Sequence, residues 1–182
     1  STRVVSFAQA GQAMISTYIG FEVASRTEIF WLGLAFAIVA GALLGAAVDF
    51  FFMRVLFKHA VSGAAAVVAP VIATLGLLGL IRGIVGLIWG GEFKSIEAPA
   101  SSNGFTFGET TIPFSALNLL VIGTVFSILI TLAIVFQRTN LGLSLRASAY
   151  APEIAQLAGI KTARTRTIGW AIAGGVGGVA GM

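Results

Sequence analysis

Residues 137–169 read QRTNLGLSLRASAYAPEIAQLAGIKTARTRTIG. The stretch holds Arg138, Arg146, Lys161, Arg164 and Arg166, five of the eleven basic residues of the chain, against one acid, Glu153. One apolar run, 114–136, leads into it and another, 168–182, leads out. A basic polar segment between two lipid-grade runs reads as a cytoplasmic loop, because Lys and Arg accumulate on that side of a bilayer. The loop at 137–167 therefore orients the rest of the chain. It also sets the fold class: an all-α, polytopic transmembrane helical bundle.

Composition agrees. Of 182 residues, 57% are hydrophobic and only 10% are charged. An ordinary soluble domain carries about 25% charged residues. Such a chain cannot cover itself with polar surface, so the lipid bilayer is its expected solvent. The net charge of +4 is carried by few basic residues separated by apolar spans. That pattern fits orientation in a membrane and not binding of nucleic acid, which needs a basic patch.

Catalytic and metal chemistry find no residues. Cysteine is absent, which excludes disulfides and thiolate metal sites. His59 is the single histidine and lies beside Arg54 and Lys58 at a span end. It reads as an interfacial residue, since a metal site needs several ligands. There is no HExxH, no glycine-rich loop closing on Gly-Lys-Ser/Thr, and no pair of carboxylates sharing an obvious site. The expectation is no enzyme, no metal and no cofactor.

Spans are expected at about 4–21, 29–52, 67–90, 114–136 and 168–182, in one membrane domain covering 1–182. The first is interrupted by Ser6, Gln9, Gly11, Gln12, Ser16 and Thr17. Two readings stay open for it: a helix with a polar stripe facing protein, or a broken segment lining a polar path. Residues 22–28, EVASRTE, read as a short polar turn. In the second span, Gly41 and Gly45 form a GxxxG pair, which lets a neighbouring helix approach closely. The third span carries Pro70 and Arg82. A central Arg costs about 2.5–3.5 kcal/mol on insertion scales, so it is expected to face protein or water, or to snorkel outward. Glycines 76, 79, 83, 86 and 90 thin this span and predict tight packing. The polar loop 91–113 contains FTFGETTIPF, which suits a short hairpin.

Strict alternation places Arg3, Arg54 and Lys58 on the side of the basic loop, so eight of the eleven basic residues share one side. Arg26 and Lys94 lie opposite, and Arg82 lies within the membrane. The last run has only 15 residues, about 22 Å as a helix against a hydrocarbon core of about 30 Å. The chain is accordingly expected to be a fragment, cut at both ends.

Within the basic loop, Pro152 suits the first turn of a helix and Glu153 complements its N-terminus. Gly159 supplies a stop. Ala149, Ile154, Leu157, Ala158 and Ile160 form a small apolar surface at roughly helical spacing. Residues 151–158 thus read as a short helix on the membrane surface, either a loop cap or a peg offered to a cytoplasmic partner.

These residues carry a resemblance. Arg138, Gly142, Arg146, Ala147, Ala155, Leu157, Gly159 and Ile160 match an R-x-x-x-G-x-x-x-R-A stretch followed by A-x-L-x-G-I and a glycine-rich helix. That pattern resembles the LivH/LivM-type permeases, membrane subunits of ABC importers for branched-chain amino acids and related small polar solutes. The six-residue spacing of Glu153 and Gly159 is also that of the EAA…G motif of ABC importer permeases. Residues 5–18 are similar to the family's N-F-A-H-G-E-x-x-M-x-G-x-Y segment, keeping Phe7, Ala8, Met14 and Tyr18. Residues 73–90 are similar to its T-x-G-L…L-R-G…W-G helix, which includes Arg82.

The resemblance implies a permease subunit in a bacterial plasma (inner) membrane. Its implied partners are a second permease subunit, cytoplasmic ATP-binding subunits that hydrolyse ATP, and an extracytoplasmic solute-binding protein. Glu153, Ala155, Leu157 and Gly159 are the expected coupling residues. Ser6, Gln9, Gln12 and Arg82 are the expected pathway residues. An ion-coupled secondary transporter and a membrane assembly subunit without a pathway remain alternatives.

Overall fold

The computed structural model describes residues 7–54, 65–91, 94, 98–101, 103–107 and 110–182. Seven α-helices and one hairpin follow in chain order among them. They are α1 (Ala8–Thr27), α2 (Phe30–Ala47), α3 (Ala65–Trp89), β1 (Gly104–Phe107), β2 (Thr110–Ser115), α4 (Ala116–Arg138), α5 (Asn140–Tyr150), α6 (Pro152–Leu157) and α7 (Thr162–Gly181). A π-helical turn, Val48–Met53, prolongs α2. Three segments are long and apolar enough to cross a membrane: Phe30–Met53, Val68–Trp89 and Ala116–Arg138.

The core is a seam of small residues. On α1 the buried positions include Ala8, Gln12, Ser16, Gly20 and Ala24. On α2 they are Gly33, Ala37, Gly41 and Gly45. Both rows step by four, the spacing of one ridge on a helix surface. In lipid there is no hydrophobic gain from pairing helices, so close backbone approach and dispersion must hold them. A Cβ on Gly41 would strike the carbonyl of Gly174, and one on Gly45 would strike the carbonyl of Trp170. The neighbour served by the GxxxG pair of α2 is therefore α7.

The contacts fix the directions. Gly20 of α1 meets Gly33 and Ala37 of α2, and Gly178 of α7 also meets Ala37, so α2 runs against both. Gly177 and Gly181 of α7 lie against Ala13 and Thr17, so α7 runs with α1. Helix α3 also runs with α1: Leu78 and Ile81 pack at Gly11, and the rings of Tyr18 and Trp89 lie 5.4 Å apart. These directions place Arg54 and Arg166 at one end of the bundle. Arg26 is at the other end, where Lys94 sits 5.4 Å from the Phe21 ring.

Several boundaries differ from the sequence reading. Residues 22–27 continue α1 instead of forming a turn. The cause is local: Arg26 donates to the Glu22 carboxylate at 2.6 and 2.9 Å, an i,i+4 pair that carries the helix into the polar zone. The turn shrinks to Glu28, with φ 57°, and Ile29. Helix α7 begins at Thr162, six residues before the apolar run. The basic loop is largely helical, and it includes α5 as well as α6. The glycine face of α3 is open, with no described atom within 4 Å of a Cβ built at Gly76, Gly79, Gly83 or Gly86. Helix α3 packs instead through Pro70, Thr74, Ile81 and Val85. The hairpin suggested by FTFGETTIPF is present as β1 and β2, antiparallel. Arg3, Ser6, Lys58, His59, Glu92, Glu97 and Glu109 lie outside the described residues.

Candidate functional site

The site is the elbow between α6 and α7, together with the buried acid that anchors it. Thr139 opens the region by accepting from the Gly142 N–H, the N-cap of α5. Pro152 then starts α6, where its missing N–H costs nothing. Two bonds close α6: Ile160 N–H donates to Ala155 O at 2.9 Å, and Gly159 N–H donates to Gln156 O at 2.9 Å. With Gly159 at φ +83°, this is a Schellman turn, a conformation a β-carbon resists. Gln156 Nε2 reaches across the elbow to Thr162 Oγ1 at 3.0 Å.

The four expected coupling residues fall into two groups. Glu153 and Leu157 are exposed, Leu157 at 89%. Tyr150 and Ile154 flank them and are also exposed. Ala155 is buried, so its methyl seats α6 and does not belong to the free surface. Gly159 makes the turn. An exposed apolar face on a six-residue helix is a small raised surface.

Behind the elbow lies a network that periodicity did not reveal. Asp49, in the π-helical turn after α2, has a side chain 0% exposed. Arg166 Nε donates to its Oδ1 at 2.6 Å, and Thr167 Oγ1 donates to its Oδ2 at 2.6 Å. Arg54 Nη2 donates to Thr167 Oγ1 at 3.1 Å, while the Arg54 guanidinium lies 4.5 Å from the Phe50 ring centre. The Thr167 hydroxyl has one proton and two nearby acceptors, Asp49 and the Ala163 carbonyl at 3.0 Å. The charged acceptor is favoured, because such bonds are shorter and stronger. The only sequence signal was an acid inside an apolar span.

The expected pathway residues differ in exposure. Ser6 lies outside the described residues. Gln9 is exposed on α1 and Arg82 is exposed on α3. Gln12 is 1% exposed, and its Nε2 has no hydrogen-bond partner among the described residues. Ser16 and Thr74 are likewise buried, each bonded to a carbonyl of its own helix, Ala13 O and Val71 O. No hydrogen bond or ion pair joins Gln9, Gln12 and Arg82 among the described residues. At the opposite end from the elbow, hydrogen bonding from Arg26 holds the Glu22 carboxyl below its ordinary range.

Three segments long and apolar enough to cross a bilayer, together with a small-residue seam, make this a multi-pass membrane protein. Residues 1–182 match the family described as "Branched-chain amino acid transport system / permease component", and the chain belongs to that family. It is 29% identical over 185 residues to the probable branched-chain amino acid transport permease protein LivH of Methanocaldococcus jannaschii. That alignment covers 100% of this chain and 56% of the relative, so the chain spans about half the length of that protein. No solved structure matches the chain.

Proposed function

We propose that this chain is the membrane-spanning permease part of an ABC importer for branched-chain amino acids or similar small polar solutes. It resides in the plasma membrane, the inner membrane of a bacterium. Its partners are a second permease subunit, two cytoplasmic ATP-binding subunits and an extracytoplasmic solute-binding protein. The match to the permease family over residues 1–182 carries the reading. The likeness to a probable branched-chain amino acid transport permease supports the solute class.

Helix α6 is the coupling element in this scheme. Glu153 and Leu157 meet the ATPase, Ala155 seats the helix, and Gly159 turns the chain back toward the membrane. ATP binding draws the ATPases together and moves α6. The motion passes through the elbow to α7 as a rigid-body change between inward-open and outward-open states. ATP hydrolysis belongs to the partners. Ser6, Gln9, Gln12 and Arg82 contribute polar contacts along the path. An ion-coupled carrier needs an acid free to take up a proton or cation within the membrane, and the acid within the spans described, Asp49, is paired with Arg166.

The test uses the full-length permease assembled with its partners in vesicles. Glu153→Lys reverses the charge on the exposed face of α6. Uptake of labelled leucine is expected to fall about tenfold or more while ATP hydrolysis persists. Wild-type uptake by this variant overturns the coupling role of α6.

A further inference from the structure

The Asp49 network has a position that stability alone does not explain. Helices α2 and α7 are already held along Gly41, Gly45, Trp170 and Gly174. A buried ion pair adds little net stability there, because desolvation offsets most of the attraction. What such a pair does supply is a defined geometry, since each carboxylate oxygen is directed at one donor. The network lies between the elbow at Gly159 and the seam that begins at Trp170. Its acid sits in a π-helical turn, closed by Arg54 N–H donating to Asp49 O. Turns of that kind are rare and frequently mark functional positions.

We propose that Asp49 is a positioning residue for transport: by fixing Arg166 and Thr167 at the foot of α7, it makes a displacement of α6 move the α1–α2–α7 seam instead of bending the elbow. The inference rests on the coupling role of α6 proposed above. Three contacts divide the task. The Asp49–Arg166 pair resists translation of the α7 foot, at 2.6 Å with the Arg166 side chain 30% exposed. The Asp49–Thr167 bond resists rotation of α7 about its axis, because it grips the adjacent residue on a different bearing. Arg54, bonded to Thr167, ties the next turn of the α2 extension to the same point. Removing the charge on Asp49 leaves the glycine seam in place and slackens the foot. The expected signature is futile ATP turnover and not loss of the complex.

Asp49→Asn, which keeps the shape and removes the charge, is compared with Thr167→Val and Arg166→Lys. The full-length permease is assembled with its ATPase subunits and binding protein in vesicles. Leucine uptake, ATP hydrolysis and complex yield are measured together. For Asp49→Asn, uptake per ATP is expected to fall about fivefold or more, with hydrolysis within about twofold of wild type. Thr167→Val and Arg166→Lys are expected to show smaller falls in the same ratio. An unchanged ratio in assembled Asp49→Asn overturns the proposal, as does a parallel loss of uptake and hydrolysis. If Asp49→Asn does not assemble, Arg166→Lys decides on the same ratio. Failure of both to assemble makes the pair a folding element and overturns the proposal. Glu153→Lys in the same vesicles separates the two readings. If it uncouples while Asp49→Asn does not, only the role of Asp49 fails; if it leaves coupling intact, the role of α6 fails.

Discussion

Gly41 of α2 and Gly174 of α7 meet backbone to backbone, each lying where a β-carbon on the other would need to be. The contact sits midway along the seam, between Gly45 against Trp170 and Ala37 against Gly178. Gly41→Ala forces the helices apart or strains both. It is expected to cost about 1–3 kcal/mol, the usual range for overpacking. Gly83→Ala on α3 meets nothing within 4 Å and is expected to lie within about 0.5 kcal/mol of wild type. Thermal unfolding of the detergent-solubilised permease reads both. Equal midpoints for the two variants would refute the seam.

The elbow makes a separate prediction. Gly159 has φ +83°, and a β-carbon there costs about 1–2 kcal/mol. Gly159→Ala is expected to lower hydrogen-exchange protection at Gly159 and Ile160, whose N–H groups close α6. Protection equal to wild type would show that the turn is not strained by a side chain.

Arg82 is exposed on α3 within one of the segments apolar enough to cross the membrane. A bare Arg at such depth is costly, so a protein or aqueous contact is expected to meet it in the assembled transporter. Arg82→Leu is expected to reduce uptake about tenfold at normal expression, the scale of one lost hydrogen bond to a charged group. Unchanged uptake would mean that the guanidinium only extends to the interface.

What the sequence made legible was local. Pro152 and Gly159 bracket α6 within a residue or two, because each acts through its own backbone: one lacks an N–H, the other tolerates positive φ. The long apolar spans were legible by length and hydropathy. The extension of α1 through Thr27 was not, because charges at an interface look like a turn until their i,i+4 pairing is considered. Helix α5 was missed although Thr139 is a regular N-cap. The Asp49–Arg166 pair was beyond reach, since its members lie 117 positions apart and nothing in a single chain pairs them. The glycines of α3 misled for a related reason. Small residues permit close packing, but only a neighbour makes it, and α3 turns a different face to α1.

Helix α7 contains 20 residues and stands with its foot at Arg166 and its shaft along Gly174 and Gly178. A straight helix of that length is a rod of about 30 Å. From Arg166 to Gly181 the arm is about 22 Å, so a tilt of about 5° at the foot carries its tip sideways by about 2 Å, close to the radius of its own backbone cylinder. A rod held in this way needs little travel at its foot to displace its far end by a helix radius.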